Sequence, residues 1–166
     1  DLGSIGALVD LGQIYRDGRG TPKNATKAIG YFEQAAIKGD VDAHGNLGEM
    51  YLTGEGRAVD YVLARKHLSF ASQHGLPQAQ FQLGILYRNG LGTKANTDIA
   101  RKWFERSARN NNASAAFSLS AMYLGGELKA VDGIGQAYNW FVQGLRAQGL
   151  SPSVLPHQNP QIKRHG

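Results

Sequence analysis

A chain of 166 residues, 42% apolar and 19% charged, is long enough for one domain with a continuous core and too mixed in composition to remain disordered. The absence of cysteine excludes a disulfide framework and thiolate metal sites, and no apolar run approaches the roughly 18 residues a membrane-spanning helix needs. A net charge of +5 permits an acidic partner without requiring one. The chain opens on Asp1, with neither an initiator Met nor a basic-then-apolar leader, so a processed or excised segment is expected.

The first expected helix carries Ala7, Leu11 and Tyr15 at four-residue spacing, one inward stripe at helical period. Beside Leu11 stands Gly12. A helix-interior glycine costs up to about 1 kcal/mol against alanine, so its recurrence at Gly48 and Gly84 predicts a second helix crossing closely there. After Tyr15 the stretch "DGRGTPKN" breaks the helix and turns the chain. A second helix then carries Ala28, Tyr31, Phe32, Ala35 and Ala36 and is closed at Gly39, a residue at ease in the left-handed conformation.

This hairpin repeats. Tyr15, Tyr51, Tyr87 and Tyr123 stand 36 residues apart, as do Ala7, Ala43, Ala79 and Ala115. The second helix returns as Ala64, His67, Leu68 and Ala71, then as Ala100, Trp103, Phe104, Ser107 and Ala108, closed by Gly75 and by Asn111. The period accounts for twelve of the 22 glycines, a number well above the ordinary share of about 7%. One such hairpin cannot bury its own apolar stripe, so neighbours must stack into a solenoid, and the recurring residues, the tyrosines included, are packing residues rather than chemistry.

The pattern A-x-x-x-L-G-x-x-Y-x-x-G-x-G, then A-x-x-(W/Y/H)-(F/L)-x-x-A, closed by Gly, resembles the Sel-one-like repeat (SLR) family of tetratricopeptide-like solenoids. The resemblance implies an all-α fold, a right-handed alpha-alpha superhelix (solenoid) of four helical-hairpin repeats. They lie at about 4–39, 40–75, 76–111 and 112–149, with a Pro-containing tail over 150–166. The fourth copy departs from the pattern. Trp140 follows Trp103 by 37 residues, as if one were inserted; Ser120 takes the helix glycine's place, Leu128 the second turn glycine's and Gly144 a helix alanine's.

Function is then sought where the copies differ. The resemblance to tetratricopeptide proteins implies an inner groove lined by residues two before and two after Leu11 and by the pair after Tyr15. Those are Val9, Gln13, Arg16 and Asp17; Gly45, Glu49, Leu52 and Thr53; Phe81, Ile85, Arg88 and Asn89; and Phe117, Ala121, Leu124 and Gly125. Gln13, Arg16 and Glu49 make the first half polar, whereas Phe81, Ile85, Phe117, Ala121 and Leu124 make the second apolar. An exposed apolar groove suits a peptide or helix, with Arg88 to orient it. The alternative is that Phe81 and Phe117 pack between helices and never reach solvent. For Arg16 and Arg88, contact with an acidic partner competes with plain solvation.

Catalysis finds little support, and the resemblance keeps a hydrolase only as a less favoured alternative. H-E-x-x-H, G-x-S-x-G and G-x-x-x-x-G-K-[ST] are all missing, and His44, His67, His74, His157 and His165 show no i, i+4 pairing. No cofactor or metal is expected. Arg101, Lys102, Arg106 and Arg109 give one second helix a basic face, but Glu105 interrupts it and second helices lie outside, which disfavours nucleic acid. In "SPSVLPHQNPQIKRHG" the prolines disfavour a helix, and Val154, Leu155 and Ile162 are candidate anchors for a tail covering the last hairpin; the alternative is a linker to a further domain or a peptide for another solenoid's groove. The reading is a non-catalytic scaffold or adaptor binding a protein or peptide, with an inhibitor or immunity protein as the alternative. A bacterial envelope, periplasmic or secreted location is implied by the resemblance alone.

Overall fold

The computed structural model describes residues 4–152. Among them are eight helices and no strand: α1 (Ile5–Asp17), α2 (Ala25–Ile37), α3 (Val41–Thr53), α4 (Tyr61–Gln73), α5 (Pro77–Asn89), α6 (Thr97–Arg109), α7 (Ala113–Leu124) and α8 (Gly133–Ala147). They pair as hairpins, α1 with α2 through α7 with α8, and each second helix packs on the first helix of the next hairpin. The chain is therefore an all-α solenoid of four stacked units. The proposed tail anchors Val154, Leu155 and Ile162 lie outside the described residues.

Local chemistry sets each boundary. Seven of the eight helices start at a Ser, Asn or Asp whose side chain accepts from a backbone N–H of the first turn; α5 starts instead at Leu76 with Pro77 behind it. The Asn24, Asp60, Asn96 and Asp132 caps themselves recur every 36 residues. The turn within each of the first three hairpins is closed from the recurring tyrosine, since the N–H groups of Asn24, Asp60 and Asn96 donate to the carbonyls of Tyr15, Tyr51 and Tyr87 at 2.8, 3.0 and 2.7 Å.

The core runs along the stack. Ala28, Ala64, Ala100, Ala43 and Ala115 have no exposed surface, and between them lie the fully buried Phe32, Leu47, Leu68, Phe104 and Leu119. Burying each such large side chain is favourable by about 1.5–3 kcal/mol. The close crossing predicted from the helix glycines is present: in units one to three, Phe32, Leu68 and Phe104 from the second helix lie against Gly12, Gly48 and Gly84 on the first. Tyr51 is buried, while Tyr15 is half-buried and stacks on Tyr31 with ring centroids 5.6 Å apart.

Unit four solves the same crossing in reverse. Ser120 is buried where the glycine stood, and Phe117 on α7 now lies against Gly144 on α8. The spacing also needs correction. Asp132 caps α8 36 residues after Asn96 caps α6, yet the left-handed residue closing α8, Gly149, follows Asn111 by 38. Two residues are thus added rather than the single one read from Trp103 and Trp140, and they lengthen α8 to 15 residues against 13 for α6. Leu128 turns inward, 7% exposed, with its N–H on the Met122 carbonyl at 3.2 Å.

Candidate interaction face

The first helices α1, α3, α5 and α7 carry the expected groove positions, and α3 also reaches α5 directly. Units one and two are joined here by a polar network. Gln13 Nε2 and Arg16 Nη1 both donate to Asn46 Oδ1, at 3.1 and 3.0 Å. The Arg16 guanidinium also pairs with Glu49 and Glu55, each at 2.9 Å. Its side chain is 18% exposed. Burial opposes its charge, but the hydrogen bonds and fields of the two carboxylates outweigh that and raise its pKa.

Arg88 repeats the arrangement two units on. Its Nε donates to Glu127 Oε2 at 2.9 Å and its Nη2 to Oε1 of the same carboxylate, a two-pronged pair. The hydrogen bond to Glu127 is the main cause of a raised Arg88 pKa, and the same bond holds Glu127 below the usual carboxylate value. Both arginines are therefore engaged between units, an arrangement the sequence reading did not raise.

Between α3 and α5 lies a small cleft of about 140 Å³ lined by Asp42, Gly45, Asn46, Glu49, Leu76, Gln78, Ala79 and Gln82. Gly45 and Glu49 were among the expected groove residues; Asp42, Asn46, Gln78 and Gln82 were not. The signal was available, since 6, 42, 78 and 114 hold Gly, Asp, Gln and Ser, and 10, 46, 82 and 118 hold Asp, Asn, Gln and Ser. Those positions vary as freely as the slots of Gly45 and Glu49.

The apolar half is shared with the core. Phe81 and Ile85 are half-buried against the cluster built on Phe104 and Leu119, and the Phe81 ring tilts onto Phe104 with centroids 5.7 Å apart. Phe117 is half-buried and tilts onto Phe141 at 5.5 Å. Val9 packs on the first cluster, and Leu52 on both the first and the second-to-third unit clusters. Ala121 and Leu124 are exposed, as are Asp17, Thr53, Asn89 and Gly125.

Two histidines that looked solitary in the sequence meet. His44 Nδ1 and His67 Nδ1 are 3.0 Å apart, and His44 Nε2 lies 3.2 Å from the Ala36 carbonyl. A carbonyl only accepts, so His44 carries its proton on Nε2, and its bare Nδ1 accepts from His67 Nδ1–H. His44 also stacks on Phe70 at 4.0 Å, with His74 on Phe70 at 4.2 Å. Burial first, then the neighbouring His44 and Lys66, pull the His67 pKa down to about 4, and burial lowers that of His44. The role of His44 recurs: Gln80 Nε2 donates to the Ser72 carbonyl at 3.1 Å and Gln143 Nε2 to the Ala108 carbonyl at 2.9 Å. Each junction thus closes the equivalent last-turn carbonyl with a side chain from the next unit.

On the second-helix side, Glu105 accepts from Arg101 at 2.6 Å and lies 3.7 Å from Arg109, while Arg106 sits over the Trp103 ring at 4.9 Å. The basic face is partly neutralised from within. Among the described residues no helix is long and apolar enough to cross a membrane, and no group of three or more His, Asp or Glu is placed to hold a metal ion.

The chain matches the Sel1 repeat family over residues 5–40, 41–76, 77–112 and 113–147. No curated protein matches it. Among solved structures it is similar to c5321, a protective antigen of uropathogenic Escherichia coli strains displaying an SLR fold, with 34% identity, a TM-score of 0.80 and coverage of 89% of this chain and 31% of that one. A Sel1 repeat protein from Oxalobacter formigenes has 23% identity and a TM-score of 0.79 over 87% of this chain and 59% of that one. The chain therefore spans less than two thirds of the length of either. The immunity protein Pa5087 of Pseudomonas aeruginosa, at 20% identity and a TM-score of 0.50 over 95% of this chain and 75% of that one, shares the fold alone. Proteins of Sel1 repeats are generally non-catalytic protein-interaction modules. With four consecutive units matched, each a helical hairpin stacked on the next, the chain belongs to the Sel1 repeat family.

Proposed function

We propose that this protein is a non-catalytic scaffold or adaptor whose first-helix face binds a protein or peptide. The observation that carries the reading is the cleft between α3 and α5. Its rim residues Asp42, Gln78 and Gln82 differ from copy to copy, so the repeat's own packing does not dictate them. Acidic and amide groups there suit a partner segment that presents a basic or hydrogen-bonding side chain, with the exposed Ala121 available to apolar residues farther along. The likeness to a protective antigen supports placement in the bacterial envelope, periplasm or secreted fraction.

The test is selection of binders from a random peptide library displayed on phage, with wild type and an Asp42→Lys, Gln82→Lys variant side by side. Enriched peptides that lose binding to the variant, while its melting curve is unchanged, support the cleft. Peptides that bind both equally, or no enrichment at all, count against it.

A further inference from the structure

We infer that the end face of unit four is a docking surface for one further helical hairpin of the same repeat, carrying an apolar residue in the slot that Leu91 fills in unit three. The inference rests on a pairing rule between neighbouring units. Arg16 of unit one pairs with Glu55 of unit two, and Arg88 of unit three pairs with Glu127 of unit four, each 39 residues on. Between them, Leu52 and Leu91 hold the same two slots, and both pack on the core cluster of Leu68, Leu83 and Leu86. Charged and apolar occupants of these slots alternate along the stack. Leu124 is next in line, and it is 68% exposed.

The rest of the face agrees. Tyr138 follows the buried Ala137 as Ile29 follows the buried Ala28, yet Ile29 is covered by the next unit at 2% exposure while Tyr138 is 56% exposed; Ile134 beside it is 79% exposed. The backbone also leaves α8 by the route that leads elsewhere to a new first helix. The Leu150 N–H donates to the Leu145 carbonyl at 2.9 Å, as Asp40, Leu76 and Asn112 donate to Ala35, Ala71 and Ser107 at 3.2, 3.1 and 3.1 Å. The face thus continues an interface that the molecule already builds three times. A second copy stacked end to end suits it poorly. Its own occupant of the Leu91 slot is Arg19, held by Asp17 at 3.1 Å, and a guanidinium pressed on Leu124 would lose water without gaining a partner.

The experiment joins a copy of residues 76–111 directly after Gly149 and follows thermal unfolding by circular dichroism. Four forms make a cycle: the fusion itself, Leu91→Glu in the copy, Leu124→Arg in unit four, and both together. The expected result is a fusion with two more helices' worth of signal and one cooperative transition. With Leu124 present, Leu91→Glu lowers the midpoint by about 2–4 °C, and with Leu124→Arg the preference reverses. A copy that stays non-helical or melts separately overturns the proposal, as does an effect of Leu91→Glu that is the same in both backgrounds. End-to-end dimers of the original chain in light scattering would assign the face to a second copy and overturn it too.

Discussion

The ring of Phe32 occupies the space where a side chain on Gly12 would stand: a Cβ there would lie 2.5 Å from the ring's Cε1. Phe32 is fully buried and cannot move aside into solvent. Gly12→Ala is therefore expected to destabilise by about 1–3 kcal/mol through overpacking, in spite of the helix-propensity gain of up to about 1 kcal/mol. Gly30, inside α2, has nothing within 4 Å of the same construction, so Gly30→Ala is expected to stabilise by about 0.5–1 kcal/mol. Urea denaturation of the two variants reads both signs, and equal effects would refute the account.

Gly56 and Gly20 separate backbone strain from contact. Both have positive φ, 77° and 72°, which costs an alanine about 1–2 kcal/mol. At Gly56 a Cβ would also meet Ala25 of the preceding unit, 2.6 Å from its Cβ, whereas at Gly20 nothing stands within 4 Å. Gly56→Ala should cost about 2–4 kcal/mol and Gly20→Ala only the strain. Chemical unfolding of each variant checks the ordering.

Arg16 and Arg88 occupy one slot two units apart but differ in setting. Arg16 is 18% exposed with two carboxylates and an amide around it, while Arg88 is 35% exposed with one carboxylate. Arg16→Ala is expected to cost about 1–2 kcal/mol and Arg88→Ala about 0.5 kcal/mol, with only the second effect largely erased in high salt. Denaturation at low and high ionic strength measures the difference.

The His44–His67 pair makes stability depend on acid. Both folded pKa values lie below the ordinary histidine value of 6.5, so the unfolded chain takes up protons first as pH falls. The stability from the neutral pair is complete above about pH 6.5 and is lost as pH falls toward the His67 value of about 4. Asp40 opposes the shift at His44, and His74 and Lys66 add to it. His44→Gln with His67→Trp, which installs the residue types unit three carries as Gln80 and Trp103, should shrink the drop in melting midpoint between pH 7.5 and 5.5. An unchanged drop would assign the acid sensitivity to other groups.

Much of this architecture was legible because a period of 36 residues forces each unit to solve the same packing problem, so the recurrence of Leu47, Leu83, Gly48 and Gly84 marks buried positions directly. What escaped is what a single slot cannot show. His44 and His67 are 23 residues apart on different helices, and neither slot holds histidine in any other unit. Phe117 and Gly144 exchange the large and small partners of the crossing, so each looked like an isolated departure until both were seen together. The partners of Arg16 and Arg88 are hidden from a single slot because Glu55 and Glu127 stand 39 residues on, in the turn after the following unit's first helix.

The side-chain donors at the junctions, His44, Gln80 and Gln143, bear on how the array comes apart. A second helix in this stack does not finish its own last turn; its neighbour does. Losing one hairpin strips the hydrogen-bonding partner from the carbonyl upstream as well as uncovering apolar surface, so fraying at the C-terminal end is transmitted backward rather than confined. The coupling has a direction, and the order in which units open should follow it.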